Sequence, residues 1–226
     1  MRIQKLRKII CSMPGIVSCW IPGGDGVAID IVRGNHGIVH GANRNVEVQP
    51  RQIRSDLGWE FDPANSEYIK VPHHSSLNAQ GEISIGGWFF VSSSDDDKRL
   101  LEKELEYYAL RYSNNKLYFY YHIGGSYSGL NYLVNANKWN FFVATYNNKT
   151  HVQSLYLQNS LVAQTELTGL GSYSINKTTN VFTIGKAGSS YFSGYQSLIF
   201  KADKEWSLAD VKNLYNALKD LFYPRG

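Results

Sequence analysis

Cysteine, proline and charge are all scarce in these 226 residues, and no apolar run approaches the length of a membrane span. Two cysteines, Cys11 and Cys19, are too few for a disulfide framework. One bond between them and two free thiols are both open. No Cys/His spacing reads as a zinc site. A spanning helix needs about 20 consecutive apolar residues, so none is expected. Charged residues make up 19% of the chain, below the usual share of about a quarter. Basic residues are scattered beyond the first eight positions, so no specific nucleic-acid partner is expected. Six histidines (His36, His40, His73, His74, His122 and His151) occur without a Gly-x-Ser-x-Gly elbow to suggest a nucleophilic triad. Gly23-Gly24-Asp25-Gly26 and Gly185-Lys186-Ala187-Gly188 resemble phosphate loops, but neither is followed by a helix pattern that would offer its N-terminus to an anion.

Aromatic residues, by contrast, are abundant at 14%, with sixteen Tyr, ten Phe and five Trp. They fall in short alternating or apolar runs separated by Gly, Asn, Asp and Ser, the pattern of a β-sandwich or barrel. Strands are expected at residues 16–21, 58–61, 68–71, 83–91, 100–112, 116–123, 139–146, 152–157, 161–166, 182–184 and 194–200. In the run Lys116–His122, Leu117, Phe119 and Tyr121 share one face while Tyr118, Tyr120 and His122 share the other. One of these faces should meet the core and the other an outer sheet surface. Asn114-Asn115, Asn147-Asn148 and Asn159-Ser160 read as hairpin turns, since Asn tolerates left-handed backbone. One helix is expected near the end. Ser207 and Asp210 form a near capping box, Leu208, Val211, Leu214, Tyr215 and Leu218 recur at helical spacing, and Pro224 and Gly226 stop it. Residues 1–14 read as an uncleaved basic arm. The stretch Ile16-Val17-Ser18-Cys19 is a poor match to a lipoprotein cleavage box, because the preceding apolar stretch is broken by Ser12, Pro14 and Gly15.

Several of these runs together resemble the laminin-G-like members of the concanavalin A-like superfamily. Tyr68-Ile69-Lys70-Val71-Pro72 is similar to a family stretch Y-V-x-V-P, and Ile83-Ser84-Ile85-Gly86-Gly87-Trp88 to a T-I-S-x-W strand. Trp139–Tyr146 resembles W-H-x-V-A-x-T-Y, and Leu155-Tyr156-Leu157-Gln158-Asn159 resembles L-Y-V-D-G. The likeness covers residues 15–220 in the family's order. It implies an all-β concanavalin A-like jelly-roll sandwich of two antiparallel sheets with one C-terminal amphipathic helix. The expected layout is a basic arm over residues 1–14, a laminin-G-like sandwich over 15–206, and a helix within 207–226 packed on the same domain.

The resemblance also implies a calcium ion, for which Asp30, Asn35, Asp62 and Asn65 occupy the matching loops. The acidic pair expected after Gly194 is replaced here by Gln196 and Ser197, which removes negative ligands. Related glucanases carry a Glu-x-Asp-x-Glu strand; Glu102-Lys103-Glu104-Leu105-Glu106 has the spacing but lacks the central Asp, and Lys103 alternates as in a solvated strand. Two Tyr-rich loops remain, residues 124–132 and 188–192. Their candidate ligand contacts are Tyr127, Asn131, Tyr132, Tyr191 and Phe192, because rings stack on sugars or proteins while amides bond hydroxyls. The expected function is a non-catalytic recognition or adhesion module for a glycan or a protein surface. The alternatives are a structural protein of a virion or surface assembly, as capsid decoration or tail component, and, more remotely, a glycoside hydrolase. The expected partners are a glycan or protein, with a homo-oligomer or larger assembly open, and the localisation is left open between virion and cell surface.

Overall fold

Period-two alternation of Val, Ile, Leu, Tyr, Phe and Trp makes most of this chain extended, because alternate side chains then reach one buried face. The computed structural model describes residues 3–23, 26–41, 43–44, 57–92, 98–103, 108–123, 126–170, 172–175 and 177–222. The first half comprises helix α1 (Ile3–Cys11) and strands β1 (Ile16–Pro22), β2 (Val27–Asp30), β3 (Gly37–His40), β4 (Asn43–Arg44), β5 (Gly58–Phe61) and β6 (Tyr68–Val71). Next come β7 (Glu82–Phe90), β8 (Lys98–Lys103), β9 (Tyr108–Ser113), β10 (Lys116–Ile123) and β11 (Ser126–Leu133). The remainder holds β12 (Trp139–Asn147), β13 (Val152–Leu157), β14 (Ser160–Glu166), β15 (Phe182–Ile184), β16 (Lys186–Ala187), β17 (Ser190–Tyr191), β18 (Gly194–Ala202) and helix α2 (Leu208–Leu218).

The strands run in one antiparallel ladder in the order β11-β10-β9-β8-β15-β6-β3-β2-β1-β18-β7-β12-β13-β14, with β5 and β4 branching from β18 and β16–β17 forming a separate hairpin. The ladder turns back on itself at β3-β2-β1. Its front half, β11 to β3, faces its back half, β1 to β14, and side chains from both meet in one core. The edges β11 and β14 also touch, so the sheet is nearly closed, which shields strand edges from stray pairing. The two sheets of the expected sandwich are therefore present as two layers of a continuous ladder.

The core between the layers takes Ile69, Val71, Leu110, Leu117, Phe119 and Tyr121 from the front and Ile83, Ile85, Phe89, Phe142, Ala144 and Tyr146 from the back. Alternate residues of the same back strands, Trp88, Phe90, Phe141, Val143 and Phe200, enter a second apolar cluster on the far side. Both helices cover that far side. Leu6 and Ile10 of α1 and Val211, Leu214 and Leu218 of α2 are buried there. Trp88 stacks on Phe222 at 3.9 Å, and Trp206 is held by Nε1–H to the Pro14 carbonyl (2.8 Å) and N–H to Ser84 Oγ (2.9 Å). The α2 capping box is complete: Ser207 Oγ accepts from the Asp210 N–H, and the Asp210 carboxylate accepts from the Ser207 N–H.

Several sequence expectations change in detail. The basic segment expected as an arm carries α1, and its Leu6 and Ile10 recur four residues apart on the buried stripe. The lipoprotein-like box is the centre of β1, where Val17, Ser18 and Cys19 are fully buried. Cys11 is exposed and Cys19 buried, both as free thiols, and burial pushes the Cys19 thiol pKa well up. The run 100–112 is two strands, β8 and β9, paired with Lys98 opposite Tyr112. One extended run of that length would reach about 43 Å, well beyond a usual strand. Lys103 is fully buried and not solvated; its ammonium donates to the Asn180 carbonyl. Pro224 and Gly226 lie outside the described residues, and α2 gives way to a 3-10 turn at Lys219–Leu221.

If α1 is an integral part of the body, Leu6→Ala should cost about 3 kcal/mol, as a large-to-small change in a packed core does. Urea denaturation checks this; a loss below about 0.5 kcal/mol, the size of an ordinary surface change, would mean that the helix is detached.

Candidate functional site

Cross-strand partners in an antiparallel ladder share a face, so the pairings define the outer surface of the front layer. One row runs Ile38, Lys70, Thr183, Glu102, Ala109, Tyr120 and Gly129, each opposite the next. Beside it on the same face lie His40 with Tyr68, and Arg111 with Tyr118 and Asn131. Leu117, Phe119 and Tyr121 are fully buried while Tyr118, Tyr120 and His122 are half-buried, as the alternation of β10 requires.

Two aromatic clusters with cations stand on this face. Tyr118 and Tyr120 hold their rings parallel, centroids 5.8 Å apart, with the Arg111 guanidinium 4.7 Å from one and 5.5 Å from the other. Gly129 makes room for this pair: a Cβ there would lie 2.7 Å from the Tyr120 ring and 2.5 Å from the Phe119 carbonyl. In the second cluster, His40 stacks on Tyr68 at 4.5 Å, and the Lys186 ammonium sits 4.5 Å from the Tyr68 ring and 5.1 Å from that of Tyr191. Such cation–π contacts hold a charged group at a fixed place.

The β16–β17 hairpin carries Lys186 and Tyr191, and the sheet fixes it in place. Thr183 Oγ1 donates to the Lys186 carbonyl at 2.7 Å, and the buried Glu102 carboxylate accepts from the Gly188 N–H at 3.1 Å. Between hairpin and sheet lies a cleft of about 170 Å³ bounded by Tyr68, Lys70, Glu102, Thr183, Lys186 and Gly188. Its walls bring Lys70, Lys186 and the Tyr68 ring into one small space beside the engaged Thr183 hydroxyl and Glu102 carboxylate.

The expected ligand residues are dispersed by the fold. Tyr191 belongs to the Lys186 cluster, and Asn131 lies on the same outer face beside Tyr118. Tyr132 pairs with Leu117 and so points to the opposite side of β11, 43% exposed near the sheet edge. Phe192 is fully buried against Phe61, which makes it a core residue and not a surface contact. Tyr127 lies opposite His122 in the ladder; its side chain lies outside the described residues. Residues 126–132 of the segment expected as a Tyr-rich loop belong to strand β11, where Ser128 and Gly129 are ladder positions opposite Tyr121 and Tyr120 of β10, while Gly124 and Gly125 lie outside the described residues. Sequence reasoning did not select Tyr68, Lys186 or Arg111. Period-two phasing of β6 and β9 would have put the first and last on the outer face, whereas the reach of the hairpin has no local signature.

The calcium candidates do not fit a cation. Both oxygens of Asp30 accept backbone N–H groups, from Cys19 (3.0 Å), Val32 (2.9 Å), Arg33 (3.3 Å) and Asn35 (2.9 Å). Four N–H dipoles point their positive ends where a metal would approach. The Asn35 amide instead donates to Ser18 and Ser76. Asp62 caps the turn Pro63–Asn65 by accepting from the Ala64 N–H, and the Asn65 amide donates to Asp62 at 3.2 Å and to Glu67 at 3.5 Å. The amide thus fills the space between two carboxylates. Among the described residues no group of three or more His, Cys, Asp or Glu could hold a metal ion. Of the glucanase-like triad, only Glu102 can be placed; Glu104 and Glu106 lie outside the described residues.

The model of the family described as the concanavalin A-like lectin/glucanases superfamily matches residues 63–198. No curated protein matches the chain in sequence. Among solved structures the chain is similar to the ligand-binding domain of botulinum neurotoxin serotype D in complex with N-acetylneuraminic acid, with 14% identity and a TM-score of 0.71 over 92% of this chain and 52% of that one. It is also similar to the binding domain of botulinum neurotoxin DC in complex with rat synaptotagmin II, with 18% identity and a TM-score of 0.66 over 90% and 52%. A third, the receptor-binding domain of the C/D mosaic toxin with tetraethylene glycol on its Hcn sub-domain and a sulfate ion, has 14% identity and a TM-score of 0.70 over 90% and 51%. The chain spans about half the length of these structures, and at such identities the likeness is one of fold. With the family model covering more than half of its length and a two-layered antiparallel ladder to match, the chain belongs to the concanavalin A-like lectin/glucanase superfamily.

Proposed function

We propose that this protein is a non-catalytic recognition module that binds a glycan on the outer face of its front layer. The observation that carries the reading is the placement of two Tyr–cation clusters, Tyr118/Tyr120/Arg111 and Tyr68/Tyr191/Lys186, on one side of the sheet, the second of them bordering a polar cleft. Sugars present C–H faces and hydroxyls together. Phenol rings and charged donors held in fixed positions match both at low ordering cost. Strands position such groups more firmly than free loops do.

Support for binding over catalysis comes from the site's chemistry. Glycoside hydrolysis ordinarily uses two carboxylates across the scissile bond. Among the described residues the cleft offers Glu102 alone, and its carboxylate accepts the Gly188 N–H that holds the hairpin in place. The toxin domains of like fold were solved with a sialic acid in one case and a protein, synaptotagmin II, in another. That pair of ligands is compatible with a module that recognises and does not transform. It does not transfer to this chain by itself.

A glycan array with the intact chain should show binding. Tyr68→Ala and Tyr120→Ala should each weaken the best ligand about 5- to 30-fold, the range for loss of an aromatic anchor. Their melting temperatures should stay close to that of the parent. An array without any signal, or variants that bind like the parent, would remove the glycan reading; a protein partner lost on the same substitutions would replace it. Because the Asp30 and Asp62 turns are closed by N–H donors, binding should be the same in calcium and in a chelator. A chelator-sensitive signal would contradict that.

A further inference from the structure

The charge of the chain is unevenly placed. Its first 24 residues contain Arg2, Lys5, Arg7 and Lys8 and no acidic residue, while the rest carries nineteen basic and nineteen acidic residues. The whole formal net charge of +4 therefore belongs to those 24 residues, and three of their four cations, Lys5, Arg7 and Lys8, lie on α1. A helix of nine residues is marginal on its own in water. Burial of Leu6 and Ile10 against the back layer holds this one in place and leaves Lys5, Arg7 and Lys8 exposed. Ile3, at the open end of the buried stripe, is 46% exposed.

Next to α1 runs a groove of about 510 Å³ that extends the patch. Ile3 and Arg7 form one wall; Ile29, Ile31, Val32 and Arg33 form the other. Arg33 is exposed, and the one carboxylate among the described residues lining the groove, Asp30, is already surrounded by four backbone N–H donors. The surface thus joins fixed cations to aliphatic side chains. A nucleic acid would call for several stacking platforms beside its cations; among the described residues lining this groove and the helix surface beside it the one ring is His36, whose Nδ1 is engaged by the Asp30 N–H at 3.1 Å, and there is no Phe, Tyr or Trp. An anionic bilayer supplies negative headgroups and, just beneath them, apolar material for Ile3. No described helix is long and apolar enough to cross a membrane.

We propose that α1 and this groove dock the protein onto the surface of an anionic lipid bilayer, without spanning it. The surface lies on the helical side of the back layer, so the front-layer face stays clear of the lipid. The inference stands whether or not that face binds a glycan.

Vesicle flotation of the full chain tests it, with phosphatidylcholine alone compared with phosphatidylcholine containing phosphatidylserine. The expected result is flotation with the anionic vesicles only, declining as salt is added, since Debye screening removes such attraction. Each cation near such a surface changes partitioning about fivefold, so the combined Lys5→Gln, Arg7→Gln and Lys8→Gln variant should bind on the order of a hundredfold more weakly. Ile3→Ser should bind more weakly with an unchanged salt dependence. All four side chains are exposed, and circular dichroism and melting temperature check that the fold is retained. Equal binding to neutral vesicles, no binding to anionic ones, or full binding by the triple variant would overturn the proposal. So would a short DNA duplex that binds more tightly than the vesicles and is lost on the same substitutions.

Discussion

Strands β7, β12 and β18 send alternate side chains into two different apolar clusters. Ile85, Phe142 and Ile199 face the core between the layers, while Trp88, Phe141 and Phe200 face the helices. A sheet that is apolar on both faces must be covered on both. The front layer provides one cover, and α1, α2 and the chain around Trp206 provide the other. Each buried aromatic on this layer removes on the order of 150–250 Å² of surface from water. At about 25 cal/mol per Å² that is about 4–6 kcal/mol per ring, against about 1 kcal/mol for each hydrogen bond at Pro14 or Ser84, so those bonds set the register of the cover while burial supplies the stability.

With the back layer sealed, the front layer has the free sheet face. Among the described residues no second layer covers its half-buried tyrosines, its cations and its cleft. The β16–β17 hairpin shapes that face, and two hydrogen bonds from Thr183 and to Glu102 keep it there. The fold thus divides the molecule into a rigid scaffold with a helical cover on one side and a polar, aromatic surface on the other. Under the two proposals, recognition and docking would fall on these different faces without any element serving both.

Much of the scaffold was legible in the chain because its signals are local. The runs 58–61, 68–71, 116–123, 152–157 and 182–184 become strands with those same bounds, and Asn114 and Asn115 take the left-handed backbone expected of a turn, with φ of 50° and 59°. The Ser207–Asp210 cap and the helical stripe after it also hold. The two-residue strands β16 and β17 were not legible, since two residues give no alternation, and the four-residue strands β2 and β3, set among Gly-rich turns, were not selected either. The α1 helix escaped notice because its apolar stripe is only Leu6 and Ile10 among cations. The site was less legible than the fold. Tyr118 and Tyr120 follow from the phasing of β10, but Lys186 reaches Tyr68 over 118 positions of sequence, through pairings that no local pattern specifies. Glycine misled in β11, where Gly129 marks close approach to the Tyr120 ring and not a loop.

The central claim is that the back layer is buried on both faces, and native-state hydrogen exchange tests it most directly. Amides of β7 and β12 should exchange only through global unfolding, with protection equal to the full stability of the protein, while those of the edge strand β11 open at lower free energy. Fast local exchange of β7 and β12 amides, with α1 and α2 exchanging as free helices, would contradict the account.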